Sequence, residues 1–305
     1  MWKYILKRFF ISCLTILLIA TITFFLIRLL PGNPFLVQNP LDMKNAEKMM
    51  EYYGLNDPIW KQYLRFLNNL LHLDFGYSLI HVGRSVNDMI AEYFPVSAAL
   101  AMESLIIGVP LGITLGILTA RRRGSGFDYS LQVASIVNTA IPSYVMAAIL
   151  QIVLSVWLKW LPAGGWKSFK YTILPALCLA LGTMNGYYRS MRTLMLEVGQ
   201  QDYIKTAKAK GLSNFRIAAF HQIRNAILPL VSGLGLEIAG AVTGSYVIEK
   251  IFAIPGIGQY FVTSINELDY TMALGLVVFQ ATVLVFANFI TDLLYAVVDP
   301  RVKVD

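Results

Sequence analysis

The sequence predicts an all-α integral membrane protein, and three observations carry that expectation. The 305 residues are 56% hydrophobic and only 14% charged, against about 45–50% and about 25% in soluble domains. Six apolar runs reach the roughly 20 residues that a membrane-crossing helix needs. Lys and Arg gather at alternate ends of those runs, as they do on the cytoplasmic side of membrane proteins. The net charge of +7 is therefore assigned to cytoplasmic loops and not to nucleic acid, for which no module is visible.

The first run, roughly 9–30, closes at Pro31-Gly32. It is too long for a signal peptide and lacks a small-residue cleavage site, so it is read as a retained anchor. The second, roughly 96–120, closes at Arg121-Arg122-Arg123, and the third, roughly 131–158, contains Pro142. The fourth, roughly 171–190, has Pro175 near its start; the fifth is roughly 227–250. The sixth, roughly 272–298, stops at Asp299-Pro300. Interior prolines are tolerated in membrane helices because neighbours satisfy the freed carbonyls. Lys3, Lys7, Arg8, Arg121 to Arg123, Arg189, Arg192, Lys205, Lys208, Lys210, Arg216, Arg224, Arg301 and Lys303 all fall on one side. That side is cytoplasmic, so both termini are expected there. Lys159, Lys167 and Lys170 on the other side depart mildly from the rule.

The external segment, about 32–94, is long enough for short helices. Asp42 to Tyr53 reads as one, ended by Gly54. Asn56-Asp57-Pro58 reads as a cap with proline at the first helical position. Trp60, Tyr63, Leu64, Leu67, Leu70 and Leu71 then give an amphipathic face. Ser85-Val86-Asn87-Asp88 resembles a capping box with Asp in place of Glu. The segment is read as a helical cap on the outer ends of the spans, or as helices lying at the interface.

Motifs for common chemistries are missing. There is no GxxxxGK[ST] phosphate loop, no HExxH, no CxxC and no GxSxG. His72 and His81 share the external segment without a cysteine or clear carboxylate partner, which is weak support for a metal site. Cys13 and Cys178 lie in apolar runs and read as small hydrophobes. Charge inside the membrane is costly and often functional. Glu103, Glu237 and Asp292 fall inside spans, while Arg28 sits near an outer end and is expected to snorkel. Glu237 either lines a pathway or hydrogen-bonds between helices. Asn138, Ser143, Gln151 and Gln280 are pathway candidates by the same logic. An ion-coupled carrier is a rival class, although such carriers use a denser relay of acids and histidines.

Residues 197–229 carry the most information. A connection between spans can be far shorter, whereas this one is basic and helix-forming, with two pieces parted by Gly211. Asp202 suits a helix start. Tyr203, Ile204 and Ala207 follow at helical spacing, with Lys205 and Lys208 on the wetter side. Thr206, Ala207 and Ala209 are small enough to let another backbone approach, and Gly211 suits a position needing positive φ. Ser213 can cap the next helix. On physics alone the segment is either a docking element or a basic helix on the anionic inner leaflet.

DYIKTAKAKGLS at 202–213, followed by RNAILP at 224–229, resembles the cytoplasmic loop of permease subunits of ABC importers. In the family pattern Glu-Ala-Ala is followed by three residues, Gly and later a hydrophobic-Pro pair. Here Lys205-Thr206-Ala207 stands in the Glu-Ala-Ala place, Gly211 matches the glycine, and Leu228-Pro229 the closing pair. Thr-Ala-x-Ala-Lys-Gly is typical of the oligopeptide/dipeptide branch. LLPGNP at 29–34, LNDP at 55–58, DFGYSL at 74–79 and IEKIFAIPGIG at 248–258 resemble its B-type subunit, so the likeness covers essentially the whole chain. The resemblance implies a type I ABC importer permease fold with six transmembrane helices in one domain, 1–305, and a coupling loop about 191–226. It implies a second homologous permease, two cytoplasmic ATPases, an extracytoplasmic binding protein, membrane lipid and a peptide as partners, with no cofactor and no catalysis in this chain. The coupling helix would comprise Asp202, Tyr203, Ile204, Lys205, Thr206, Ala207, Lys208, Ala209, Lys210, Gly211 and Leu212. Tyr203, Ala207 and Gly211 are expected on the docking face. Nickel-type permeases share these motifs and are the alternative.

Overall fold

The computed structural model describes residues 2–32, 34–35 and 43–298. The Asp299-Pro300 stop, Arg301 and Lys303 lie outside them, as do Asn33 of LLPGNP, residues 36–42 and the Asp292 side chain. The described residues are helical almost throughout. In order the helices are α1 (Trp2–Arg28), α2 (Met43–Tyr52), α3 (Ile59–Leu71), α4 (Val86–Arg121), α5 (Gly126–Ala140) and α6 (Ser143–Trp157, its second half a π turn). Then come α7 (Phe169–Val198), α8 (Asp202–Ala209), α9 (Asn214–Ala226, with a central π turn), α10 (Leu228–Val242), α11 (Tyr246–Ile251), α12 (Ile257–Asn266) and α13 (Tyr270–Val298).

Among the described residues three helices are long and apolar enough to cross a membrane: α1 from Ile5, α4, and α13 to Thr291. Up to five spans result if each of two bent pairs counts as one, against the six expected. The expected third span, 131–158, is not one helix: α5 and α6 meet at 107° across Ile141-Pro142. Proline lacks the N–H that would continue the ladder and clashes with the preceding turn. The expected fifth span, 227–250, is also shorter. It stops at Val242, Gly244 turns the chain at φ +90, and α11 is separate. α7 has the length, 30 residues, but Asn185, Arg189 and Arg192 dilute its apolar surface. α4 starts at Val86 rather than near 96; its 36 residues span about 54 Å, well beyond a roughly 30 Å hydrocarbon core.

The chain divides into two compact units. One comprises Met1–Ser97, Thr243–Tyr246 and Pro255–Asp305. In it α1 runs along α13, burying Ala20, Phe24 and Ile27 with Tyr270, Ala273, Leu274 and Val278. The segment leading into α4 is tied down by polar contacts that explain the DFGYSL run. Buried Asp269 caps α13 by accepting Met272 N–H at 3.1 Å, and also accepts Leu79 N–H at 3.1 Å and the Ser78 hydroxyl. α2 ends as expected, with Gly54 at φ +64. α3 begins one residue later than expected, so Pro58 is the cap residue itself. Lys61 at 2.8 Å and Arg65 at 2.6 Å hold the Asp57 carboxyl below the usual carboxylate range. Ser85 caps α4 through Asn87 N–H at 3.1 Å. Only part of the predicted α3 face turns inward. Tyr63, Phe66 and Leu70 pack on the α1 cluster, while Trp60, Leu64 and Leu71 are exposed.

The other unit comprises Ala98–Val242 and Val247–Ile254. Here α4 crosses α7 at three glycines spaced four apart. A Cβ at Gly108 would meet the Ala180 carbonyl at 2.8 Å, at Gly112 the Met184 carbonyl at 2.5 Å, and at Gly116 the Met191 Cβ at 2.7 Å. Without side chains the two backbones approach closely, the device of small-xxx-small pairs in membranes. α5 is held to α7 by polar bonds. Asn185 accepts the Ser135 hydroxyl and donates to Thr139 Oγ1 at 2.7 Å, and Arg192 grips Asp128 through two bonds of 2.8 Å. Phe252 and Ile254 of the IEKIFAIPGIG run are fully buried, and the Phe252 carbonyl accepts Gly165 N–H at 2.7 Å.

Candidate functional site

Two sets of residues carry functional candidates. The first is α8 and its exit. Ile204 and Ala207, one turn apart, are buried with Ile217 of α9, and half-buried Leu212 packs against them. This small cluster fastens α8 onto the π turn of α9. The helix then closes as a Schellman turn: Leu212 N–H donates to the Ala207 carbonyl at 3.3 Å and Gly211 N–H to that of Lys208 at 3.0 Å. Gly211 has φ +75, the left-handed conformation the sequence suggested. Ser213 caps α9 by accepting Arg216 N–H at 3.4 Å.

One residue of the expected docking face does not lie on the surface. Ala207 is 6% exposed and turns into the chain's own cluster, so it is not on the outer surface. Buried Ile204 and Ala207 serve to seat α8 on α9. The outer surface carries Asp202, Tyr203, Lys205, Thr206, Lys208, Ala209, Lys210 and Gly211, all exposed. Lys205 pairs with Asp202 at 2.8 Å on the wet side. Sequence reasoning missed Phe215 and Phe220, at 68% and 65% exposed. Two large aromatics in a basic loop were the available signal, since exposed apolar groups often mark contact surfaces. Beside α8 lies a cavity of about 410 Å³ with Arg121, Arg123, Gln200, Lys208 and Asn214 among its lining residues.

The second set is the intramembrane polar residues. Four of the predicted residues are committed to the chain's own structure or lie at its turns. Asn138 donates to the Leu181 carbonyl at 3.1 Å and Gln280 to that of Thr243 at 3.1 Å. Ser143 is exposed at the start of α6, its carbonyl accepting the Cys178 thiol at 3.8 Å. Gln151 likewise donates to the Ala163 carbonyl at 2.6 Å. Glu103 is half-buried. Glu237 lines a cavity: it is exposed into a groove of about 310 Å³ between α7 and α10.

A helical chain with apolar spans, a basic loop between two of them and a polar groove has the features of a membrane permease component. The chain belongs to the family described as binding-protein-dependent transport system inner membrane component, which matches residues 112–304, with that family's N-terminal region matching residues 1–101. Among its relatives is a dipeptide transport system permease protein of Bacillus subtilis. It is 42% identical over 303 residues, covering 99% of this chain and 98% of the relative. An oligopeptide transport system permease protein of Haemophilus influenzae is 40% identical over 305 residues, covering 99% and 100%. The corresponding protein of Escherichia coli K12 is 38% identical over the same coverage. As a permease component the chain is a conduit and not an enzyme.

Proposed function

We propose that this chain is a transmembrane subunit of an ATP-driven importer and forms half of a pathway for short peptides. Its full-length likeness to dipeptide and oligopeptide permease proteins carries the substrate reading. The chain crosses the membrane six times with both termini in the cytoplasm, each bent pair counting as one span and α7 as the sixth. A second homologous permease completes the pathway, a binding protein delivers the peptide from outside, and two ATPase subunits hydrolyse ATP. α8 with Gly211 and Leu212 docks into an ATPase groove, with Tyr203 and Phe215 as the apolar anchors. Aromatic anchors dominate the energetics of such contacts. ATP binding draws the ATPases together and moves the docked helices, switching access between the two sides as a two-state transition. Nothing in the structure favours the nickel alternative. The test is uptake in a strain deleted for this chain. Loss of labelled dipeptide or tripeptide uptake, restored by the gene, is expected. Normal peptide uptake with lost nickel uptake would overturn the reading.

A further inference from the structure

We infer that Glu237 receives the protonated amino terminus of the peptide, in the groove between α7 and α10; this rests on the peptide-importer reading above. Glu237 stands nine residues after Leu228 at the start of α10, or about 14 Å along that helix and inside an apolar span. Its carboxylate has no hydrogen bond or ion pair among the described residues. A bare carboxylate at that depth is expensive against lipid and is found facing a bundle interior or a hydrated cavity. The groove supplies such a cavity. Its about 310 Å³ lies at the lower end of the roughly 300–1,000 Å³ of small-molecule sites. Thr183, Tyr187 and Ser190 of α7 bring polar side chains to it.

The groove is also unobstructed. Cβ atoms added at Gly182, Gly186 or Gly233, all in its lining, would meet nothing within 4 Å. Gly108, Gly112 and Gly116 show the opposite case, in which the missing side chain is filled by a neighbouring backbone. The groove glycines therefore leave room for something outside this chain. An ammonium group fits the carboxylate, since a charge-assisted bond between them is strong, and the hydroxyl groups of Thr183, Tyr187 and Ser190 in the lining offer acceptors for its remaining N–H groups. Every free peptide has that ammonium whatever its side chains are. A lone carboxylate in a wall with little side-chain relief would hold peptides by their shared end and leave the residues beyond it unread. The other polar candidates are not offered in this way: Asn138 and Gln280 each donate from their amides to carbonyls of the chain itself.

The experiment uses the complete transporter in proteoliposomes, with saturating binding protein and ATP. Uptake of alanyl-alanine is compared with that of propanoyl-alanine, its counterpart lacking the amino group. In Glu237→Gln the preference for the free-amino peptide should fall about 10-fold or more, given the strength of hydrogen bonds to charged groups. Glu237→Asp, which keeps the charge, should retain most of the preference. Glu237→Gln should co-purify with its partner subunits as the wild type does. An unchanged preference in Glu237→Gln overturns the assignment. So does loss of partner subunits in Glu237→Gln, which would make Glu237 half of an ion pair across the permease interface. A wild-type complex that moves neither compound counts against the peptide reading itself as well as against this site.

Discussion

Gly211 offers the sharpest perturbation of the docking segment, because the backbone and contact contributions can be separated there. Its φ of +75 is left-handed, and a Cβ at this position would meet nothing within 4 Å in the chain. Within the subunit, substitution therefore costs only conformational energy. For alanine that is about 1 kcal/mol and for a β-branched residue about 1–2 kcal/mol, while asparagine visits this region more readily. The Schellman turn that closes α8 and seats Leu212 against Ile204 and Ala207 is what such a cost weakens. Against an ATPase groove any added side chain is also bulk, and overpacking a close-fitted contact costs typically about 1–3 kcal/mol more. Gly211→Asn isolates the second contribution. The assay is co-purification of the ATPase with the permease, together with peptide uptake. The docking account expects both Gly211→Val and Gly211→Asn to lose ATPase, with Gly211→Val the worse. If Gly211→Asn behaves as wild type while Gly211→Val fails, the glycine only terminates a helix. If both behave as wild type, α8 is a membrane-surface helix and the coupling assignment is wrong.

Further outcomes are expected elsewhere. Arg192→Ala should destabilise the second unit by about 3–5 kcal/mol, because Asp128, at 2% side-chain exposure, is left without its partner. A thermal melt of the detergent-solubilised subunit within about 2 °C of wild type would refute that. Gly112→Val should prevent α4 from approaching α7, since its first atom already meets a backbone carbonyl at 2.5 Å. A well-expressed, transport-competent Gly112→Val protein would show that the helices separate at little cost. Single cysteines at Asn68 and Ser213, with Cys13 and Cys178 replaced, should react from opposite sides of intact cells. Reaction of both with an impermeant reagent from outside would overturn the orientation.

Much of the architecture is legible in the sequence because lipid imposes a simple code of length and apolarity. The run that became α13 is read to within about two residues for that reason, and the end of α1 likewise, whereas α1 begins at Trp2, well before the expected start near residue 9. The miscounted elements are those where the code is silent. An apolar run says nothing of direction, so the right angle at Pro142 reads as a straight span. α7 shows the converse: its polar residues are satisfied by α5, through Asn185 and Arg192, and that pairing is invisible to a window average. The GxxxGxxxG spacing of Gly108, Gly112 and Gly116 was readable as a packing signature. At the docking segment, positive φ at Gly211 follows from a helix-ending pattern. The inward turn of Ala207 does not, because it depends on where Ile217 lies. Of the intramembrane polar residues, sequence alone cannot separate Glu237 from Gln280. What separates them is a carbonyl within reach of one and an open groove beside the other.

The central claim is that ATP hydrolysed by separate subunits drives peptide through a pathway this chain helps to form. The direct measurement is uptake of a labelled dipeptide by proteoliposomes containing the complete complex and its binding protein, with and without ATP on the ATPase side and with ion gradients collapsed. The account predicts accumulation that requires ATP and binding protein and is indifferent to the gradients. Accumulation that persists without ATP and disappears when an ion gradient is dissipated would contradict it.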